Sequence, residues 1–281
     1  MHVSLDSALG RQRRLNSVGE SVLQIAPNAA AAYSLRSLTG GDPKVVRVRR
    51  DTDGGAGDND EQDFTASEVS SGALAAFVGS GNDGFVETWY DQSGNSNDAV
   101  QETAGSQPKI VNAGALLADG IDFDGSDDTL TAASVSGFGA TISMFAASVR
   151  DSGGAAVVSM GSSASTSNTN FGIIEGSSVS NVNARNTNSV TASASVSGVT
   201  RLTFGLTTGQ TSTKSGALGG TLVEDTSDYG SDFTSGELDT IFLGKLRSGS
   251  GSSFNGHIKE ALIYTSDQSS NRDAIEANIA N

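Results

Sequence analysis

An all-β fold, two sheets packed face to face as a sandwich, is what this sequence predicts. Three observations predict it. Gly supplies 35 of 281 residues and Pro only 3, a composition of many turns rather than of a helical bundle. Short runs rich in Val, Ile, Thr and aromatic residues recur along the chain, bounded by Gly, Asn, Asp and Ser. Several of these runs alternate apolar and polar residues, the period of a strand with one buried face. The length suits one large β domain. A helical stretch precedes it and a short helix closes it. The expected division is therefore residues 1–28, a helical anchor or assembly segment, and residues 29–281, the sandwich.

Residues 4–26 read as the leading helix. Ser4 caps its start and Pro27 stops it. Leu5 and Leu9 share one face; Leu15, Val18, Val22 and Ile25 share another. Gly10 and Gly19 each weaken it by about 1 kcal/mol relative to Ala, so it needs a surface to pack on. That surface is either its own sandwich or a larger assembly. In the assembly reading the contacts come from Leu5, Leu9, Leu15, Val18, Val22 and Ile25 with the cations Arg11, Arg13 and Arg14.

Residues 29–38 read as a short helix or irregular lead-in. Lys44 to Arg50 alternates Val and Arg, a half-buried strand whose arginines meet acids close by. Residues 51–63 are acidic and Gly-rich and read as a loop. Asp51, Asp53, Asp58 and Asp60 are its candidate Ca²⁺ ligands, although the closing Glu of an EF-hand is missing. Residues 70–78 read as a helix.

Phe85 to Tyr90 is a strand holding the only Trp, and it runs into the turn cluster Asp91-Gln-Ser-Gly-Asn-Ser-Asn-Asp98. Two readings stand for this stretch. Trp89 plugs the core and the Asp and Asn residues cap a turn, or the loop lines a sugar or Ca²⁺ site. Gly120 to Asp124 alternates, with Ile121 and Phe123 facing inward. Thr141 to Val149 is placed mid-sheet. Residues 151–199 form a meander of short strands, and the runs 201–206, 239–244 and 257–264 complete the sheets. Residues 269–280 read as the final helix, with Ala274, Ile275 and Ile279 apolar.

The net charge is −15. Residues 1–50 carry eight Lys and Arg, among them Arg36, Lys44, Arg47, Arg49 and Arg50, against Asp6, Glu20 and Asp42. This part is basic and the rest strongly acidic. An acidic body disfavours nucleic acid and anionic membranes as partners. Cysteine is absent, which excludes disulfides, thiolate metal sites and a Cys nucleophile. The N-terminus has no apolar signal region, and no apolar run is long enough for a membrane span. His2 and His257 are the only histidines, so a histidine-rich metal site is excluded, and no Gly-x-Ser-x-Gly elbow or phosphate loop appears.

Four stretches in order carry a family resemblance: Ala32-Tyr-Ser-Leu-Arg-Ser-Leu38 with Val45-Val-Arg-Val-Arg-Arg50, Trp89 to Asp98, Phe123-Asp-Gly-Ser-Asp-Asp-Thr-Leu130, and Phe254-Asn-Gly-His-Ile-Lys-Glu-Ala-Leu-Ile-Tyr264. Together they resemble the catalytic domain of α-L-arabinofuranosidase B, within the wider concanavalin A-like and laminin G-like group, over roughly residues 30–281. The resemblance implies a concanavalin A-like jelly roll. It also implies a retaining glycosidase with two carboxylates about 5 Å apart. Glu175 is then the candidate nucleophile. The position of the acid, near the C-terminus, is occupied here by Ser248 behind Arg247, and the family's cysteines are missing. A serine does not protonate a leaving group as a carboxylic acid does.

The preferred expectation is therefore a non-enzymatic virion protein of a tailed bacteriophage, a capsid decoration, head-fibre or tail-associated protein, since phage structural proteins carry similar domains behind short helical leaders. Residues 1–28 would attach it to capsid or tail proteins or build a homo-oligomer such as a trimer. Trp89, Tyr90, Asp91 and Tyr229 would bind host glycans, with no cofactor or with Ca²⁺ alone. The alternatives are an arabinofuranosidase-like glycoside hydrolase and a carbohydrate-binding module of a bacterial surface protein.

Overall fold

The computed structural model describes residues 19–51, 60–163, 169–196, 200–234, 236–247 and 253–280. Helix α1 (Val22–Ile25) leads into strands β1 (Ala31–Ser34), β2 (Lys44–Asp51) and β3 (Glu61–Thr65). Helices α2 (Ala66–Ser70) and α3 (Ala73–Val78) follow, then β4 (Asp83–Trp89), β5 (Ala99–Val100), β6 (Lys109–Asn112), β7 (Ala115–Leu116), β8 (Ile121–Asp124) and β9 (Leu130–Ala133). Next come β10 (Thr141–Ser152), β11 (Ala155–Gly161), β12 (Asn170–Glu175), β13 (Val179–Arg185) and β14 (Ser189–Ser195). Strands β15 (Thr200–Thr208), β16 (Thr213–Ala217), β17 (Val223–Asp225), β18 (Thr240–Leu243) and β19 (Asn255–Tyr264) precede helix α4 (Arg272–Ile279).

Every described pairing is antiparallel. One sheet runs β3-β2-β4-β6-β8-β19-β10-β15-β16-β17, with β1 beside the second half of β19. The other runs β5-β9-β18-β11-β12-β13-β14. They join at one corner, where Thr88 and Trp89 of β4 pair with Val100 and Ala99 of β5. Alternation explains the core. Val48, Val86, Ile121, Ile258 and Met144 of the first sheet meet Leu130, Val158, Phe171, Ile173, Val182 and Ile241 of the second.

The outer face of the first sheet is divided. Phe145, Phe204, Leu206, Leu262 and Tyr264 form a second apolar cluster there, covered by Val22 of α1, Ala26 just after it and Ile275 of α4. This is why β10 is buried on both faces along most of its length. The other half, around β2, β4, β6 and β8, carries charged residues.

The predicted strands at Phe85–Tyr90 and Thr141–Val149 are present, and β10 lies mid-sheet between β15 and β19. Three readings are corrected. Residues 31–34 form a strand, because the free edge of β19 takes it up: Ala31 pairs with Ile263 and Ser34 with Glu260. The predicted acidic loop is shorter, since Asp51 ends β2 and Glu61–Thr65 forms β3. The predicted helix at 70–78 is two helices, α2 and α3. The first starts at Thr65, whose Oγ1 accepts from the Glu68 amide (3.3 Å) while the Glu68 carboxylate accepts from the Thr65 amide (2.8 Å).

Leu5, Leu9, Arg11, Arg13, Arg14, Leu15 and Val18 lie outside the described residues. Val22 and Ala26 are fully buried against the sandwich, so this part of the predicted leader covers its own sheet. The basic character of residues 1–50 is also redistributed. Arg36 pairs with Glu260, Lys44 with Asp63, Arg47 with Glu61, and Arg50 with Asp60, all within the body.

Candidate functional site

A transverse row of side chains crosses five strands on the open half of the first sheet. Arg49 of β2 is the register partner of Phe85 on β4, Phe85 of Lys109 on β6, Lys109 of Asp122 on β8, and Asp122 of His257 on β19. Their neighbours Val48, Val86, Ile110, Ile121 and Ile258 are buried in the core, so the row points outward.

Its members are held in place. The Arg49 guanidinium lies 5.0 Å and the Lys109 ammonium 5.7 Å from the Phe85 ring centroid. Arg49 Nε donates to Gln107 Oε1 (2.8 Å), and Gln107 Nε2 donates to the Gln101 carbonyl (2.8 Å). Lys109 Nζ donates to Asp83 Oδ2 (2.7 Å).

The turn between β8 and β9 adds acids. One carboxylate oxygen from each of Asp124, Asp127 and Asp128 lies within 4.8 Å of the others. Asp128 Oδ2 accepts from the Asp124 amide (3.0 Å), and Asp127 Oδ2 from Ser106 Oγ (2.7 Å). Burial pushes the Asp128 carboxyl up to about 6; the Asp124 amide opposes this, and the charges of Asp124, Asp127 and Asp122 add to it. Burial also raises Asp122, with His257 pulling it down and Asp151 pushing it up.

Of these residues, Arg49, Phe85, Gln107, Lys109, Asp122, Asp124 and Asp128 line an open cleft of about 600 Å³, together with Asp51. The cleft offers four carboxylates, two cations, an amide and a partly buried ring. Such a surface offers donors, acceptors and an apolar ring to a hydroxyl-rich ligand. Two groups have metal-ligand spacing among the described residues: Asp124, Asp127 and Asp128, and Asp122, Asp151 and His257.

The residues expected to bind sugar lie elsewhere. Trp89 has no exposed surface and packs against Tyr33 at a centroid distance of 5.8 Å. Tyr229 is equally buried, stacked on Phe233 at 4.9 Å. Neither ring has a free face, so the expectation of sugar stacking there is corrected: both are core. Tyr90 donates its hydroxyl to Asp63 Oδ1 (2.8 Å); burial and then Asp63 push its pKa up to about 12. Asp91 accepts from the amides of Ala32 (2.8 Å), Ser93 (2.9 Å) and Asn97 (3.1 Å). Asn95 and Asn97 donate to the Ala30 carbonyl, and Gln92 to those of Ser34 and Arg36. The 91–98 turn is thus a clip that holds β1 and its flanks.

Glu175 is sealed within the protein. Its carboxylate pairs with Arg201 and accepts from Ser180 Oγ and Thr203 Oγ1 (2.9 Å each), and its side chain has no exposed surface. The same Arg201 also donates to the carbonyls of Gly176 and Ser177. Of the predicted metal ligands, Asp53 and Asp58 lie outside the described residues, as does Ser248. Asp60 pairs with Arg50, and Asp51 lines the cleft.

Phe85, Lys109, Asp122, Asp128 and His257 were not singled out as site residues in the sequence. The one local signal was the acid density of Asp122 to Asp128, which reads equally well as a turn.

Two solved structures define the fold. A GH54 α-L-arabinofuranosidase variant soaked with 4-nitrophenyl α-L-arabinofuranoside superposes with a TM-score of 0.66 at 13% identity, covering 93% of this chain and 64% of its own. An arabinofuranosidase complexed with arabinofuranosyl-α-1,2-xylobiose gives 0.59 at 15% identity, covering 90% and 62%. The chain thus spans less than two thirds of the length of these proteins. The likeness shows the fold, a β-sandwich of the arabinofuranosidase kind, as the order of the sequence motifs implied. No family model matches the chain, and no curated protein matches it. No described helix is long and apolar enough to cross a membrane.

Proposed function

We propose that this chain is a carbohydrate-binding β-sandwich that holds a neutral glycan in the cleft between Arg49 and Asp128 without cleaving it. The observation that carries this reading is the cross-strand row. It sets the partly buried Phe85 ring beside two fixed cations, in one cleft with Asp122 and Asp128. A sugar ring presents an apolar face and a rim of hydroxyls, and such a row answers both. Four carboxylates against two cations, on a chain of net charge −15, disfavour acidic sugars. The enclosed Glu175 supports binding without turnover, because a nucleophile needs an open approach to the anomeric carbon.

The test is a glycan array followed by calorimetric titration with neutral arabinose- and xylose-containing oligosaccharides. Binding that drops at least tenfold in Phe85→Ala is the expected result. Equal binding by wild type and Phe85→Ala, or no binding, would overturn it.

One observation favours a hydrolase instead. Burial pushes the Asp128 carboxyl up to about 6, within reach of a proton-donor role, and Asp122 and Asp124 line the same cleft. Release of 4-nitrophenol from an arabinofuranoside by wild type, lost in Asp128→Asn, would establish that reading.

The setting we infer is the surface of a tailed-phage particle, where residues before Gly19 engage capsid or tail proteins and bring copies together. Its support is the charge contrast between Arg11, Arg13, Arg14 and the acidic body. Light scattering should give an oligomer for the full chain and a monomer for a chain starting at Gly19. Two monomers would remove self-assembly through that segment.

A further inference from the structure

At the far end of the row, three side chains from three adjacent strands converge. Asp122 of β8 faces His257 of β19, and Asp151 of β10 approaches from the other side. His257 Nε2 stands 3.9 Å from Asp122 Oδ1 and 3.7 Å from Asp151 Oδ2. Both separations are too long for hydrogen bonds. The imidazole is 16% exposed, and its Nδ1 is buried without a hydrogen-bond partner.

The backbone aims these groups at one point. In the β10–β19 ladder Arg150 pairs with Gly256 and Ser152 with Asn255, so Asp151 is the extra residue of a bulge. A bulge turns its side chain out of the ladder's alternation. Gly256, at φ +144°, permits the close approach: a Cβ there would lie 2.3 Å from the Val149 carbonyl oxygen.

We propose that Asp122, Asp151 and His257 bind a divalent transition-metal cation of the zinc class. One imidazole nitrogen and two carboxylate oxygens, all within 4.8 Å of one another, supply three ligands. Bonds of about 2.0–2.2 Å to a tetrahedral ion set ligand atoms roughly 3.3–3.6 Å apart, so closure by a few tenths of an ångström brings each carboxylate to that spacing from His257 Nε2. The imidazole decides the class of ion. Zinc, nickel and copper accept a nitrogen donor readily, whereas calcium and magnesium prefer oxygen alone. Asp122 also lines the cleft, which places the ion at the end of the sugar-binding row. The cation site stands independently of the glycan reading.

The test is calorimetric titration of the full-length protein with zinc chloride and, separately, calcium chloride, in wild type and in a His2→Ala background. One equivalent of zinc should bind in both, with calcium at least tenfold weaker. His257→Ala and Asp151→Asn should each weaken zinc at least tenfold, while Asp127→Asn leaves it unchanged. Because the chain has only two histidines, imidazole ¹⁵N resonances read the same event without a substitution in the site. The His257 signal should shift on adding zinc in the His2→Ala protein, which covers a His257 variant that does not fold. Absence of zinc binding, binding that survives His257→Ala, binding lost in His2→Ala, or binding lost only in Asp127→Asn would each overturn the proposal.

Discussion

Arg201 and Glu175 form an ion pair from which water is excluded, with the two side chains 1% and 0% exposed. The carboxylate is also approached by the Ser180 and Thr203 hydroxyls, 2.9 Å from it and 2.8 Å from each other. A carboxylate so engaged ties β12, β13 and β15 together. It is therefore a structural cross-link, and it limits what this position does for chemistry.

Removing one partner leaves the other charge buried. Arg201→Ala should cost about 3–5 kcal/mol of stability, whereas replacing both by apolar residues of similar size should cost far less. Urea denaturation of the single and double variants checks this. A loss below about 1 kcal/mol in Arg201→Ala would mean that water reaches Glu175.

Trp89 closes the corner between the sheets. Trp89→Ala should destabilise the fold by about 3–5 kcal/mol through cavity formation. Trp89→Phe, still folded, should keep the glycan affinity of wild type. Isothermal titration beside thermal melting separates the two effects, and a selective loss of affinity in Trp89→Phe would return this residue to the binding surface.

Asp128 gives a pH signature of definite sign. Its folded pKa is raised to about 6, so the folded state takes up the proton before the unfolded chain does. Its ionised form opposes folding at neutral pH, and that opposition fades as pH falls through about 6 towards the ordinary carboxylate value. Asp128→Asn should therefore be more stable than wild type at neutral pH, with the difference shrinking in acid. Melting curves of both proteins across this range test it; a difference that grows in acid would contradict the burial of Asp128.

The Asp91 clip makes a local prediction. Asp91→Ala removes acceptors from the amides of Ala32, Ser93 and Asn97, at about 1–3 kcal/mol for donors left without partners. Hydrogen exchange should quicken in residues 30–38 and 91–98 and stay slow in β10. Uniform quickening would show that the clip supports the whole sandwich.

Much of the architecture was legible in the chain because strand formation leaves a local trace. The alternation of Ile121, Asp122, Phe123 and Asp124 assigned their faces correctly, and the apolar density of 141–149 placed β10 mid-sheet. Strand β1 was not legible, since Ala31 to Ser34 has little intrinsic strand character. Only the vacant edge of β19 recruits it. Trp89 was ambiguous for a related reason: an aromatic residue before a turn looks the same whether Tyr33 covers it or solvent does.

The sequence by itself determined the all-β class, the strand faces, the closing helix and the motif order of an arabinofuranosidase-like sandwich. Each strand, turn and motif among these depends on neighbours within a few residues. The tertiary structure alone decided where the chemistry lies. Arg49, Phe85, Lys109, Asp122 and His257 are scattered over more than two hundred positions and meet only because five strands pair in one register. Register is set by the packing of the opposite, buried face, so no window of sequence contains it.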